Sequence, residues 1–165
     1  MNDDRKRIAI LIAKIINDIN LVKNLSVDSM EFKIIVQKLG YLLQRIGGID
    51  YGFKFGWLSR GPYSRGLQNY YHYVAQYLNA TCTNSLNEVE AVAVQRVENL
   101  LTDVKNALGS IDHYALELIA SLVMLCSDVY PAPDDVVEEL ARRKNVSSDI
   151  AKQLFSIVKK YGICI

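Results

Sequence analysis

Apolar residues recur every three to four positions in stretch after stretch of this chain, and that period constrains the fold more than any other feature. Ile8, Leu11, Ile12, Ile15, Ile16, Ile19 and Val22 predict a first helix over about 4–23. Ile35, Leu39, Leu42, Leu43 and Ile46 predict a second over about 28–46, opened by Asp28 and Glu31 at capping-box spacing and closed by Gly47-Gly48. A third is expected over about 63–78. Ser85-x-x-Glu88 opens a fourth with the stripe Val89, Val92, Val97, Leu100, Leu101 and Val104, and Gly109 closes it. Ser110 caps a fifth, with Ile111, Leu118, Ile119, Leu122 and Leu125 facing inward. A sixth begins near Pro133 and ends at Lys144, its acidic start and basic end matching the helix dipole. Ser147 or Ser148 caps a seventh that stops at Gly162.

The exception to the helical period is Tyr51-Gly-Phe-Lys-Phe-Gly-Trp57, which alternates like a short strand. Ser59-Arg60-Gly61-Pro62 is expected to be a turn, and the β-prone Thr81-Cys82-Thr83 is a candidate partner strand. The expected fold is mostly α and winged-helix-like. It has about seven helices and a short two-stranded β-ribbon, in one domain over 1–165. A chain of this length buries roughly 70% of its unfolded surface, so a core needs no staple.

Net charge is +1, which exerts no global pull on nucleic acid or membrane. The distribution is less even. No Asp or Glu lies between Asp50 and Glu88, a stretch that carries Lys54, Arg60 and Arg65, whereas acids dominate from Glu88 to Glu139. Cys82, Cys126 and Cys164 are odd in number and widely spaced, which argues for a reducing, cytoplasmic setting and against a disulfide framework or zinc site. Arg5-Lys6-Arg7 before an apolar run imitates a signal peptide, but Lys14 interrupts the run and the period continues, so a core helix is expected. Its surplus apolar surface leaves room for a homodimer through this first helix.

Two features point to binding. Glu139-Leu140-Ala141, Asn145-Val146-Ser147, then Ala151, Phe155 and Val158 resemble a winged helix-turn-helix over about 134–162. Asn145 tolerates a left-handed turn and Ser147 caps the second helix, while Lys144 stands where that pattern has an apolar residue. With Ile165 the last residue, no wing is expected to follow. The outward face would offer Ser148, Lys152, Gln153, Ser156 and Lys159 to nucleic acid, with Asp149 opposing. The other reading is a helix pair that only packs or meets protein.

The second feature is a basic-aromatic loop. Nine of the fifteen aromatics fall between Tyr51 and Tyr77, around Gly61-Pro62-Tyr63-Ser64. Free amides at the start of the third helix, with Arg60 and Arg65 beside them, would make an anion site, and Lys54, Trp57 and Tyr63 would frame it. Alternatively the rings form a second small core.

Lys38-Leu-Gly-Tyr-Leu-Leu-Gln44, Phe53-x-Phe55, Gly61-Pro-Tyr-Ser64 and Leu67 resemble the YwgA-like proteins of archaea and bacteria. More distantly they resemble the Panacea antitoxin domain. The resemblance implies a helical, winged-helix-like fold and, for Panacea, neutralisation of a partner toxin by direct binding. It carries no catalytic residues with it.

His72 and His113 lack the partners that catalysis or zinc would need, and no phosphate-loop or nucleophile-elbow motif occurs. The expectation is a non-enzymatic regulatory module without cofactor or metal. Its target is nucleic acid or, alternatively, a partner protein of antitoxin or scaffold type.

Overall fold

The apolar period becomes seven α-helices and one β-hairpin in a computed structural model that describes residues 3–21, 26–79 and 85–164. The helices are α1 (Asp3–Ile19), α2 (Met30–Arg45), α3 (Tyr71–Leu78), α4 (Glu88–Leu108), α5 (His113–Ser127), α6 (Val136–Lys144) and α7 (Ser148–Lys159). Strands β1 (Gly56–Leu58) and β2 (Gly61–Tyr63) pair antiparallel, Trp57 opposite Pro62, and a 3-10 turn over Gly66–Tyr70 leads into α3. The fold is mostly α with a short ribbon.

Two helices form the centre because they are apolar all round. On α2 every residue from Ile34 to Leu43 is buried, and on α5 every residue from Ala115 to Leu125. They pack on each other, α1 and α3 cover α2, and α6 and α7 cover α5. Helix α4 touches α1, α2, α5 and α7 and joins the two sides. Tyr41 donates to Asp128 at 2.5 Å, and Arg45 pairs with the same carboxylate, tying the ends of α2 and α5.

The apolar surplus attributed to the first helix is consumed inside the chain. Ile8, Leu11, Ile12, Ile15 and Ile16 are all buried against neighbouring helices, and Ile10 and Ile19 are partly buried. Each such side chain contributes roughly 1.5–3 kcal/mol when fully buried. Asn20, in the left-handed conformation, ends α1 before the expected position.

Several helix starts shift for a local reason. Ser29 caps α2, and Asp112, not Ser110, caps α5. On α4 the capping box is Asn87 with Glu90, two residues beyond the expected Ser85 and Glu88. Val89 and Val92 face outward, at 64% and 58% exposure, because the buried face runs through Glu90, Ala93, Val94 and Val97. The ribbon differs as well. β1 pairs with Gly61–Tyr63, residues expected in a turn and a helix start, and only Ser59-Arg60 remain as the turn. Thr81-Cys82-Thr83 lies outside the described residues.

The cysteine reading is also corrected. Cys126, at the end of α5, and Cys164, beyond α7, form a disulfide, their Cα atoms 5.0 Å apart. Residues 38 positions apart in sequence meet because α6 and α7 fold back along α5. No single helix among the described residues is long and apolar enough to cross a membrane.

Candidate functional site

A hairpin of two three-residue strands is not stable by itself in water, so its position depends on what grips it. Two adjacent residues of α2 do so. Gln37 Nε2 donates to the Ser64 carbonyl at 2.9 Å, and Gln37 Oε1 accepts from the Ser64 amide at 2.8 Å. Lys38, 1% exposed, donates from Nζ to the Pro62 carbonyl at 2.8 Å. Burial pulls the Lys38 pKa down to about 8, against the attraction of Glu117. Gly61 sits at φ +92°, and a Cβ there would meet Ser121 Oγ at 2.4 Å, so the loop lies on α5 with no room for a side chain. The Lys38 segment and the Gly61-Pro-Tyr-Ser64 loop, far apart in sequence, are therefore in direct contact.

A third grip comes from α6. Lys144, where a helix-turn-helix pattern has an apolar residue, is buried. Its Nζ donates to Glu117 Oε2 at 2.9 Å and to the Ser59 carbonyl at 3.1 Å. Its own carbonyl accepts from the Tyr114 hydroxyl at 3.0 Å. Trp57 in the middle of β1 faces the same helix, with the Arg143 guanidinium carbon 5.2 Å and Lys144 Nζ 5.7 Å from its ring centre. The departure from the pattern is thus the residue that fastens the hairpin to the helix pair.

The helix pair itself has the expected turn. Asn145 is left-handed at φ 54° and ψ 47°, and Ser147 Oγ accepts from the Ile150 amide at 3.2 Å to cap α7. Leu140, Ala151, Leu154 and Val158 are buried. Ser148, Asp149, Lys152, Gln153, Ser156 and Lys159 are exposed, as the outward face requires. Lys159 Nζ lies 4.9 Å from the Phe155 ring centre.

The basic-aromatic loop is not one surface. Phe53 is buried, and Phe55 and Tyr70 pack edge-on against Tyr41 and Phe53, so much of the ring cluster is core. At the start of the third helical segment two of the amides expected to be free are taken, the Ser64 amide by Gln37 and the Leu67 amide by Ser64 Oγ. The helix begins later than expected since Gly61–Tyr63 is strand. The cations nevertheless stay available. Lys54, Arg60 and Arg65 are exposed and make no ion pair among the described residues. The hairpin divides them. Trp57 faces α6 and Arg60 stands on the turn beside Lys144. Lys54, Tyr63 and Arg65 line a groove on the other side, joined there by Arg5.

Sequence reasoning missed Arg5, Gln37, Lys38, Glu117 and Lys144 as residues that shape this region. Lys38 and Lys144 carried the one available signal: each is a charged residue at an apolar position of its helix. His72 is exposed with its ring 4.0 Å from that of Tyr73, and His113 opens α5. Among the described residues no three His, Cys, Asp or Glu side chains cluster to hold a metal ion. No family model matches the chain, and neither a curated protein nor a solved structure matches it.

Proposed function

We propose that this chain is a non-enzymatic regulatory module that binds nucleic acid, with α7 as the reading helix and the hairpin turn as a flanking backbone contact. One observation carries the reading: the bond from Lys144 to the Ser59 carbonyl sets the Arg60 turn beside the Asn145 turn that launches α7. Two basic features far apart in sequence thereby become neighbours. Gln153 and Ser148 can hydrogen-bond base edges, while Lys152, Lys159 and Arg60 suit phosphates.

Anisotropy of labelled duplex DNA and RNA tests it. Affinity is expected to fall roughly 40-fold from about 50 to about 200 mM salt if three phosphates are contacted. Arg60→Glu with Lys152→Glu is expected to abolish binding. Absent, salt-independent or charge-insensitive binding ends the reading.

A partner protein, of antitoxin or scaffold type, is favoured by one other observation: Val89 and Val92 lie one turn apart and exposed on α4. That version predicts a stable complex lost on Val89→Asp, with the α7 lysines dispensable.

A further inference from the structure

The hairpin has two sides, and only one faces the helix pair. The other bounds a groove of about 780 Å³, within the range that small-molecule sites occupy. Its lining includes Arg5 from α1, Lys54 before β1 and Arg65 after β2 and, among the described residues, no Asp or Glu. One of these cations is already positioned. Arg5 donates to the carbonyls of Tyr51 at 3.3 Å and Gly52 at 2.9 Å, and its guanidinium lies 4.7 Å from the Phe53 ring centre. Little side-chain entropy remains to be lost there when a ligand binds. Lys54 and Arg65 are exposed without ion-pair partners among the described residues, so an incoming anion displaces no existing bridge.

The rest of the groove is apolar and aromatic. Leu58 is 52% exposed into it, and Tyr63 stands half-buried at its wall. The neighbouring Tyr71 hydroxyl accepts from Gln37 Nε2 at 2.8 Å. Across the ribbon from Tyr63 is Gly56, and a Cβ built there meets nothing within 4 Å. The ring's flank is therefore open to a flat group.

We propose that this groove binds a nucleoside phosphate, with the phosphate on Arg5, Lys54 and Arg65 and the base against Tyr63 and Leu58. A bare anion would have no use for the apolar wall, and an apolar ligand none for three cations. The nucleotide can be free or the unpaired end of a strand. The assignment does not depend on α7 reading nucleic acid, because the groove lies on the hairpin face away from α6.

Calorimetry on the intact protein decides it, using AMP, ATP, inorganic phosphate and a 5′-phosphorylated single-stranded trinucleotide. Nucleoside phosphates are expected to bind about tenfold or more tightly than inorganic phosphate, because base stacking on a ring adds to the charge contact. Arg65→Glu and Lys54→Glu are expected to remove binding while leaving the thermal midpoint unchanged, since both side chains are exposed and make no ion pair among the described residues. Tyr63→Ala is expected to lower nucleotide affinity to that of phosphate. Tighter binding of AMP than of the trinucleotide identifies the ligand as free, and the reverse identifies a strand end. No binding at millimolar ligand, no preference over phosphate, or indifference to Arg65→Glu overturns the proposal. So does loss of nucleotide binding on Arg60→Glu with Lys152→Glu, which would put the ligand on the helix pair. Retained nucleotide binding in that double variant supports the groove even if duplex binding fails.

Discussion

Glu90 and Glu98 stand two turns apart on α4 and look alike in sequence, yet their surroundings drive them in opposite directions. Glu90 accepts from Arg7 at 2.6 and 2.8 Å, from the Tyr51 hydroxyl at 2.9 Å and from the Asn87 amide at 3.0 Å. The Arg7 hydrogen bonds hold its pKa at about 2, below the ordinary 4.5. Glu98 is pushed up to about 8, by burial first and then by Asp18 of α1. The Glu90 contribution is present above pH 4.5 and is lost as pH falls toward 2. The Glu98 pKa is raised instead, so its contribution is whole below pH 4.5 and is lost as pH rises through 8. Denaturant unfolding across pH is therefore expected to show Glu90→Gln weaker by on the order of 2 kcal/mol at pH 7 and equal to the parent near pH 2. Glu98→Gln is expected to be more stable than the parent at pH 8 and equal at pH 4. A parent and Glu90→Gln pair that differ by the same amount at every pH would refute the assignment. Neither shift is legible in the sequence, because each depends on a residue of α1 about eighty positions away.

At the scale of elements, the hairpin is the part whose existence depends on others. α2 holds its backbone through Gln37 and Lys38, and α6 holds its turn through Lys144, itself paired with Glu117 of α5. Removing one partner of that buried pair leaves the other charge uncompensated, which costs roughly 3–5 kcal/mol. Lys144→Met is expected to lower stability by about that amount, and adding Glu117→Met is expected to restore most of it. Hairpin amides should exchange faster in both variants, because the Ser59 contact stays lost. Protected hairpin amides in Lys144→Met would mean that the joint is not what positions Arg60. Helices, by contrast, were legible as elements. All seven occur in the expected order, since a period of 3.6 and a cap are written within a few neighbouring residues. Their starts were less so. Ser85 and Glu88 satisfy capping-box spacing as well as Asn87 and Glu90 do, but only Glu90 also meets Arg7 and Tyr51. β1 was legible from alternation, whereas its partner was not, because Gly61-Pro62 reads as a turn.

Across the whole molecule, the Cys126–Cys164 bridge closes the loop that contains α6 and α7. For 38 residues the loss of loop-closure entropy in the unfolded chain corresponds to about 4 kcal/mol. Reduction, or Cys164→Ser, is expected to lower the thermal midpoint by roughly 10 °C. A midpoint indifferent to reductant would remove the bridge from the structure's stability. The order of the seven helices, the buried stripe of α1, the Asn145 turn and the Ser147 cap were all determined by the sequence alone. Each depends on residues no more than about four positions apart, and such neighbours meet however the rest of the chain folds. Only the tertiary structure decided that Lys38 is buried on the Pro62 carbonyl, Glu90 against Arg7 and Glu117 against Lys144, that two distant cysteines join, and that one basic loop becomes two faces. Those contacts link residues from 24 to 85 positions apart, and a pairing over that distance is set by which helices pack, not by any local pattern.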